Sequence, residues 1–313
     1  TVIAVVKVML PAMMKEGYPR SFCIGLLMSA GSLGIIIPPS IFMIVYGAVT
    51  GVSIGALFLG GIGAGILYGL VFIVVCAAYA KIRGIPRRAN WDLVELRGAF
   101  KDSLWGLAAP LIILGGIYGG IFTPTEAAGV AVLYATIVTM LFYRELSFKG
   151  MVDCIVQSAI TSGQVMIIIA AASAFAWYLT TSGFAAGVSG LLSGMQDRPM
   201  LLLLVINVIV IIAGMVLDPN SIIIILVPFI AVVAAQAGID PIHLGIILSV
   251  NAAIGMFTPP FGLNLFVSTG LGATYREAIS GSLPFIFAAL FALGLITVFP
   301  QISVWLPSLV YGR

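Results

Sequence analysis

Apolar runs of about twenty residues follow one another along the chain, separated by short polar stretches. A helix needs about this length of apolar sequence to cross a hydrocarbon core roughly 30 Å thick. Two of the runs are interrupted by adjacent prolines, Pro38-Pro39 and Pro259-Pro260. Proline lacks a backbone donor and clashes with the preceding turn, so a helix cannot pass these points unbroken. The pattern therefore predicts a helical membrane protein with two broken transmembrane helices.

The two interruptions share one register. A constant offset of 221 relates five Gly and Pro positions in the first half to five in the second: Gly17, Gly34, Pro38, Pro39 and Gly51 correspond to Gly238, Gly255, Pro259, Pro260 and Gly272. Interrupted hydrophobic segments at corresponding places in two halves indicate an internal repeat and point to a transporter's binding site. Two unrelated proline kinks are the simpler alternative.

The fold class predicted from this pattern is an all-α polytopic membrane protein with inverted-topology repeats and re-entrant helical hairpins. Six regions follow in order: the end of a first re-entrant hairpin (1–14), the first broken helix and its following span (15–82), a basic cytoplasmic connector (83–102), scaffold or arm helices (103–198), a second re-entrant hairpin with the second broken helix (199–272), and a C-terminal span (273–313). The limbs of the second hairpin cover only about 22–25 Å at 1.5 Å per residue, too little to span the core. Two ordinary spans joined by a tight turn remain the alternative.

Composition agrees with the membrane interpretation. The 313 residues are 61% hydrophobic and 8% charged, and the mean hydropathy is +1.21, whereas soluble domains carry about 25% charged residues. The basic residues lie in loops that flank the membrane and form no continuous stripe, so we expect a lipid environment and no nucleic acid. Three widely spaced cysteines give no metal pattern.

The positions of lysine and arginine predict the topology. If the connector is cytoplasmic, most of the basic residues fall on the cytoplasmic side, as the positive-inside rule requires. Those residues are Lys15, Arg20, Lys81, Arg83, Arg87, Arg88, Arg97, Lys101, Arg144, Lys149 and Arg276, whereas Arg198 and Arg313 fall outside. The two broken helices then run in opposite directions across the membrane.

Broken helices expose backbone groups that can bind ions. Carbonyl oxygens at the C-terminal end of a half-helix suit Na⁺, and amide groups at an N-terminal end suit an anion. The candidate Na⁺ ligands are Ser32, Gly34, Ile37, Pro38, Asp218, Asn251, Gly255, Thr258 and Pro259. The candidate substrate contacts are Ser40, Asn220, Thr258 and Asn264.

Several of these polar residues also have a purely structural interpretation. Asn251 and Asn264 could form hydrogen bonds between helices, and Asp218 could cap the helix that begins at Pro219. Thr123 and Glu126 have the spacing of a capping box. Few ionisable residues lie at membrane depth, which disfavours a carboxylate proton relay.

Long motifs in the chain resemble the large membrane subunit of TRAP transporters, the tripartite ATP-independent periplasmic carriers. They are GSLGIIIPPSI (31–41), TGVSIGALFLGGI (50–62), TPTEAAGVAVLYA (123–135), LDPNSIIIILVP (217–228), GIDPIHLGI (238–246) and GMFTPPFGLNLF (255–266). The resemblance implies an elevator-type importer in the bacterial inner membrane, driven by Na⁺ and specific for carboxylate-bearing organic anions such as C4-dicarboxylates or sialic acid. It implies that each break faces a hairpin tip, with substrate between the ion sites.

The resemblance also implies two partners, a periplasmic substrate-binding protein and a small four-helix membrane subunit. In the family, the tip of the first hairpin would lie just upstream of Thr1, so we expect half of one ion site outside this sequence. A related carrier that works without a binding protein is the alternative within transport. A passive channel and an intramembrane enzyme are alternatives from other classes, although the chain lacks paired carboxylates or a Ser/His arrangement at depth.

Overall fold

The computed structural model describes residues 2–85, 93–183, 198–270 and 272–312. Over these ranges the regular structure is helical, without strands. The helices are α1 (Val2–Lys15), α2 (Arg20–Gly31), α3 (Leu33–Ile36), α4 (Ile41–Thr50), α5 (Ile54–Arg83), α6 (Leu93–Tyr118), α7 (Pro124–Ile137) with a short π-helix (Val138–Phe142), α8 (Phe148–Thr181), α9 (Pro199–Gly214), α10 (Pro219–Gln236), α11 (Pro241–Gly255), α12 (Leu263–Gly270), α13 (Tyr275–Val298) and α14 (Gln301–Tyr311).

Seven stretches of the described ranges are long and apolar enough to cross a membrane. They are 20–50, 54–83, 96–118, 124–142, 148–171, 219–236 and 275–298. Two shorter apolar helices, α9 and α11, fall below spanning length. The prediction that both limbs of the second hairpin are too short to span therefore holds for α9 but is wrong for α10, which starts at Pro219 and reaches 18 residues. The all-α polytopic membrane fold predicted from the sequence is therefore confirmed.

The chain forms two compact units, one of residues 1–86 and 171–313 and one of residues 87–170. The first contains both proline breaks. Within the second, the Tyr134 hydroxyl donates to the Trp105 carbonyl over 2.8 Å and so ties α7 to α6. The predicted capping box is present, since Thr123 accepts from the Glu126 amide and Glu126 accepts from the Thr123 amide.

The helix boundaries differ from the sequence pattern in two places. Helix α6 begins at Leu93, so residues 93–102 of the predicted connector are helical, while residues 86–92 lie outside the described ranges. Residues 273–313 hold two helices instead of one continuous run, because α13 ends at Val298 before Pro300. The last part of the predicted arm region, residues 184–197, also lies outside the described ranges.

Both predicted breaks are present. The helix before the first break ends at Ile36, and α4 starts only after Pro38-Pro39, with Ser40 as its N-cap. Helix α11 ends at Gly255, and α12 resumes at Leu263 beyond Pro259-Pro260. Both Pro-Pro peptide bonds are cis.

The two broken segments run antiparallel, as the positions of the basic residues predict. Arg20 at the start of the first segment donates from Nη2 to the Gly272 carbonyl, just beyond the end of the second, over 2.6 Å. At the opposite end, the Tyr46 hydroxyl donates to the Pro241 carbonyl over 2.8 Å, which joins the end of the first segment to the start of the second. These two bonds fix opposite directions for the two segments.

Helix α5 forms a glycine-rich face for close packing. A Cβ added at Gly61 would lie 2.6 Å from the Ile36 carbonyl oxygen, and one added at Gly60 would lie 2.7 Å from the Ser303 carbonyl oxygen. Only glycine allows such an approach of one backbone to another, which is how helices pack closely in membranes. Helix α5 therefore packs against the first break at Gly61 and against α14 at Gly60.

Candidate functional site

The first break leaves a carbonyl group without its helical partner. Pro38 and Pro39 remove the amide donors that would bond to the Gly34 and Ile35 carbonyls. The Ser40 hydroxyl compensates at Ile35 by donating to its carbonyl oxygen. The Gly34 carbonyl has no hydrogen-bond donor among the residues that the structure describes. An unpaired oxygen thus remains at the C-terminal end of α3.

The second break is longer, and its loop forms more internal hydrogen bonds. Its prolines remove the helical donors of Gly255 and Met256, and both carbonyls find other donors. The Thr258 amide donates to the Gly255 carbonyl over 3.2 Å, and the Asn264 amide donates to the Met256 carbonyl over 2.8 Å. The Thr258 hydroxyl donates to the Ile254 carbonyl over 2.6 Å. These three bonds hold the loop in one shape.

The tip of the α9–α10 hairpin packs directly on the second break. Gly214 is the last residue of α9 and Gly255 is the last residue of α11. A Cβ added at Gly255 would lie 2.6 Å from the Cα and carbonyl carbon of Gly214. The C-terminal ends of two helices therefore meet backbone to backbone, with partial negative charges of roughly half an elementary charge each. The two partial negative charges repel each other, and a cation bound nearby would reduce that repulsion.

Asn251 adds an unusual oxygen to the same region. Its side chain is fully buried, and its Nδ2 donates to the Ile247 carbonyl and to Asn207 Oδ1, each over 2.8 Å. The predicted hydrogen bond between helices is therefore present. Asn251 Oδ1 is buried without a hydrogen-bond partner within the described ranges, which costs about 1–3 kcal/mol when nothing compensates. Such an oxygen can serve as a cation ligand.

Three of the four candidate substrate contacts lie at the opposite kind of helix end, whereas Thr258 lies in the loop of the second break. Ser40 caps α4, Asn220 is the second residue of α10, and Asn264 is the second residue of α12. The positive end of a helix dipole favours an anion, although the Asn220 amide already donates to Asp218 and the Asn264 amide to the Met256 carbonyl. Asn264 Nδ2 also donates to the Met28 carbonyl over 2.9 Å, so the second break is tied to the first broken segment.

Asp218 caps α10, as its position before Pro219 predicts. Its Oδ2 accepts from the amides of Asn220 over 3.0 Å and Ser221 over 3.3 Å, and its Oδ1 accepts from the Ser221 hydroxyl. The side chain is therefore occupied at its own helix start, and its role as an ion ligand stays a prediction. Asp240 caps α11 in the same way.

The predicted site residues differ in burial. Those buried are Ser32, Pro38, Ser40, Asn251, Gly255, Thr258 and Asn264, whereas Gly34, Ile37, Asp218, Asn220 and Pro259 are partly or largely exposed. Across the described ranges, His, Cys, Asp and Glu side chains do not gather in threes as for a transition-metal site. Apart from the Asp218 carboxylate, the candidate ligands offer backbone, hydroxyl and amide oxygens, the ligand type that hard cations prefer.

Sequence reasoning did not identify three residues that shape the second break: Asn207, Gly214 and Thr297. Asn207 interrupts an apolar limb, and a polar side chain at membrane depth is a signal of function. Gly214 ends that limb close to the polar tip. Nothing in the local sequence pairs either residue with α11, because the pairing arises only when the hairpin folds back.

Comparison with known proteins identifies the family. The family model of the DctM component of the tripartite ATP-independent periplasmic transporter matches residues 1–302. The chain belongs to the DctM family. It is 41% identical over 313 residues to the C4-dicarboxylate TRAP transporter large permease protein DctM of Pseudomonas aeruginosa, covering 98% of this chain and 72% of that protein.

Other relatives carry different substrate names. The DctM-family chain is 36% identical over 314 residues to the ectoine TRAP transporter large permease protein TeaC of Halomonas elongata, covering 99% of this chain and 73% of that protein. It is 37% identical over 300 residues to the isethionate TRAP transporter permease protein DctMQ of Oleidesulfovibrio alaskensis, covering 96% of this chain and 47% of that protein.

These findings confirm the resemblance drawn from the motifs. The DctM-family chain is a large permease subunit of a secondary transporter and a multi-pass protein of the bacterial inner membrane. Because its relatives are named as transport permeases, the enzyme interpretation is set aside.

Proposed function

We propose that this DctM-family chain imports a carboxylate-bearing organic anion by Na⁺-coupled symport, and that a periplasmic binding protein delivers the solute. A C4-dicarboxylate is the first substrate to test, because the relative from Pseudomonas aeruginosa is named for that class. Sialic-acid-like anions belong to the same proposed range. The relatives named for ectoine and isethionate show how varied the substrates within this family are, so the identity of the acid requires a direct screen.

One observation carries the Na⁺ proposal: the C-termini of α9 and α11 meet at Gly214 and Gly255, one helical turn from the unpartnered oxygen of Asn251. A cation there would relieve the repulsion between the two helix ends and satisfy the buried oxygen. Neutral backbone and amide oxygens are ligands suited to a hard cation. The unpaired Gly34 carbonyl supports a second Na⁺ site at the first break.

The substrate is proposed to bind near Ser40, Thr258 and Asn264 at the two breaks and near Asn220 at the start of α10. Each break then offers a cation-binding end followed by an anion-binding end. A Na⁺ ion held at the first kind of end raises the affinity for an anion at the second, and the anion raises the affinity for Na⁺ equally. This reciprocity gives symport a physical basis.

An elevator mechanism is proposed for the movement. The end of α9 packs against the end of α11, where the Gly214 backbone approaches Gly255. The second limb of the α9–α10 hairpin ends at Gln236, a few residues before α11 starts at Pro241, so hairpin and broken helix connect on one side. We propose that α9 and α10 form a re-entrant hairpin. All candidate site residues belong to the first compact unit, which we propose carries them across the membrane.

The chain is proposed to assemble with a small four-helix membrane subunit. The relative DctMQ is named as one permease protein, and the alignment covers only 47% of it. That length supports a second membrane component joined to the large one in that protein. For the protein described here, the small subunit would be either a separate chain or fused to the large one. Co-purification of the two subunits from membranes would test the association.

Reconstitution tests the proposed function. We would reconstitute the large and small subunits into liposomes and add the binding protein. Uptake of a radiolabelled C4-dicarboxylate is then measured with an inward Na⁺ gradient. Uptake should require both Na⁺ and the binding protein. Equal uptake after K⁺ replaces Na⁺ would reject Na⁺ coupling, and equal uptake without the binding protein would favour the independent carrier. A thermal-shift screen of the binding protein against carboxylates identifies the solute if C4-dicarboxylates fail.

A further inference from the structure

A chain of hydrogen bonds crosses from α13 through α9 to α11. The Thr297 hydroxyl donates to the Leu293 carbonyl over 2.8 Å. Asn207 Nδ2 donates to Thr297 Oγ1 over 3.0 Å, and Asn207 Oδ1 accepts from Asn251 Nδ2 over 2.8 Å. The chain ends at Asn251 Oδ1, which is buried and unpartnered within the described residues.

The direction of this chain is fixed by backbone carbonyls at both ends. A carbonyl oxygen can only accept, so the Asn251 atom that lies 2.8 Å from the Ile247 carbonyl must be the amide nitrogen. Asn207 must then present its oxygen to Asn251 and its nitrogen to Thr297. Thr297 can accept that bond because its proton is directed to the Leu293 carbonyl. Rotating either amide by half a turn would place acceptor against acceptor, so the free atom of Asn251 is the oxygen.

The free oxygen lies close to the junction of the two helix ends. Asn251 and Gly255 are four residues apart in α11, so they share one face of that helix. Asn207 and Gly214 are seven residues apart in α9 and likewise share a face. The two faces contact each other through the asparagine pair and, further along, through the glycine pair. The hydrogen-bond chain and the two helix C-termini therefore belong to one continuous contact.

We propose that Thr297 and Asn207 are positioning residues that hold the Asn251 side chain with its oxygen available to Na⁺ at the second break. The proposal rests on the Na⁺-coupled function proposed above and adds residues from α9 and α13 that touch no ion themselves. Without the Thr297 hydroxyl, Asn207 loses the acceptor that fixes its orientation. Asn207 can then turn its own nitrogen toward Asn251 Nδ2, which keeps only the Ile247 carbonyl as a hydrogen-bond partner. The Asn251 side chain is held less firmly, and its oxygen lies less often in position for the ion.

The test uses the purified transporter in detergent, that is, the full chain with its small subunit. Its melting temperature is measured as the Na⁺ concentration is raised, and K⁺ replaces Na⁺ so that the ionic strength stays constant. This readout requires no transport. Thr297→Val keeps the shape of the side chain and removes the hydroxyl. The expected result is a half-saturating Na⁺ concentration raised about three- to tenfold, the range of one lost hydrogen bond. Thr297→Ser restores a hydroxyl and should return the titration to the wild-type midpoint.

Ser268→Ala is the matched control. Ser268 is 1% exposed, and its hydroxyl donates within its own helix to the Leu265 carbonyl over 2.7 Å. This variant should leave the Na⁺ midpoint unchanged. An unchanged midpoint in Thr297→Val, or a lower melting temperature in K⁺ without a change in midpoint, would overturn the positioning role. A wild-type protein whose melting temperature ignores Na⁺ would instead reject the Na⁺-coupled function itself.

Discussion

The first broken segment turns at Pro38-Pro39 against the glycine face of α5, whereas the second turns at Pro259-Pro260 against the tip of the α9–α10 hairpin. The shorter first break spans residues 37–40, and the second spans residues 256–262. Gly34 and Ile37 beside the first break are exposed, while every residue from Asn251 to Gly255 is buried. Repeated prolines therefore open the backbone twice, but in two different environments.

Gly34 and Gly255 illustrate the difference at one repeated position. A Cβ added at Gly34 meets nothing within 4 Å, whereas one added at Gly255 meets the Gly214 backbone at 2.6 Å. The repeated glycine therefore lies beside open space in the first repeat and in a backbone-to-backbone contact in the second repeat. The repeat determines where the helix breaks, and the neighbouring element determines what the break can bind.

The largest expected effect comes from closing the second break. Pro259→Ala with Pro260→Ala returns two amide donors to the helix, so the Gly255 and Met256 carbonyls can form ordinary helical bonds. We expect Na⁺-dependent uptake in proteoliposomes to be abolished while the protein stays folded. Pro284→Ala is the control, because α13 already passes through Pro284 without a break, and normal uptake by the double variant would contradict the ion-site assignment.

Gly255→Ala should destabilise the protein far more than Gly34→Ala. The added methyl at Gly255 overlaps the Gly214 backbone and should lower the free energy of unfolding by about 1–3 kcal/mol, as overpacking does. At Gly34 the change should stay within about 0.5 kcal/mol. Melting temperatures of the two purified variants measure the contrast, and equal losses would mean that the hairpin tip does not press on the second break.

The support of the first break by α5 can be tested in the same way. Gly61→Ala places a methyl 2.6 Å from the Ile36 carbonyl oxygen and from the flexible end of Met43. Because the Met43 side chain can move, we expect a smaller loss of about 1–2 kcal/mol. Gly69→Ala in the same helix meets nothing within 4 Å and serves as the control. A Gly61 variant as stable as the Gly69 variant would remove α5 as the support.

The smallest effects concern the bonds that join the two segments at their ends. Tyr46→Phe removes the hydroxyl bond to the Pro241 carbonyl and should cost about 1 kcal/mol, since the ring is 1% exposed. Arg20→Gln removes a bond to Gly272 and an ion pair with Glu277 at 3.8 Å, both on the surface. Exposed pairs contribute about 0–1 kcal/mol. A larger drop in melting temperature for Arg20→Gln than for Tyr46→Phe would contradict this order.

Much of the architecture could be predicted from the sequence because its signals are local or repeated. Paired prolines end helices wherever they occur, and the 221-residue offset placed the second break by reference to the first. Lysine and arginine positions predicted the antiparallel directions that the Arg20 and Tyr46 bonds confirm. The cap formed by Asp218 was equally readable, because a carboxylate directly before a proline marks a helix start.

The rest depends on contacts between distant residues. The sequence shows that Asn251 is polar, but its partner Asn207 lies 44 positions earlier in the chain. The next residue of the hydrogen-bond chain, Thr297, lies 90 positions after Asn207. The division of the C-terminal region at Phe299 was missed, although Pro300 was visible, because the apolar character continues across it. Composition shows which residues are polar, and only the fold shows which atoms remain without partners.

Equilibrium binding of radioactive ²²Na⁺ to the purified large and small subunits tests the account most directly. Wild-type protein should bind ²²Na⁺ saturably, unlabelled Na⁺ should displace it, and an equal concentration of K⁺ should not. The Pro259→Ala, Pro260→Ala variant should lose binding at the second break while keeping the melting temperature of a folded protein. Absence of saturable binding in the wild type, or full binding in the variant, would show that the converging helix ends at Gly214 and Gly255 do not hold the coupling ion.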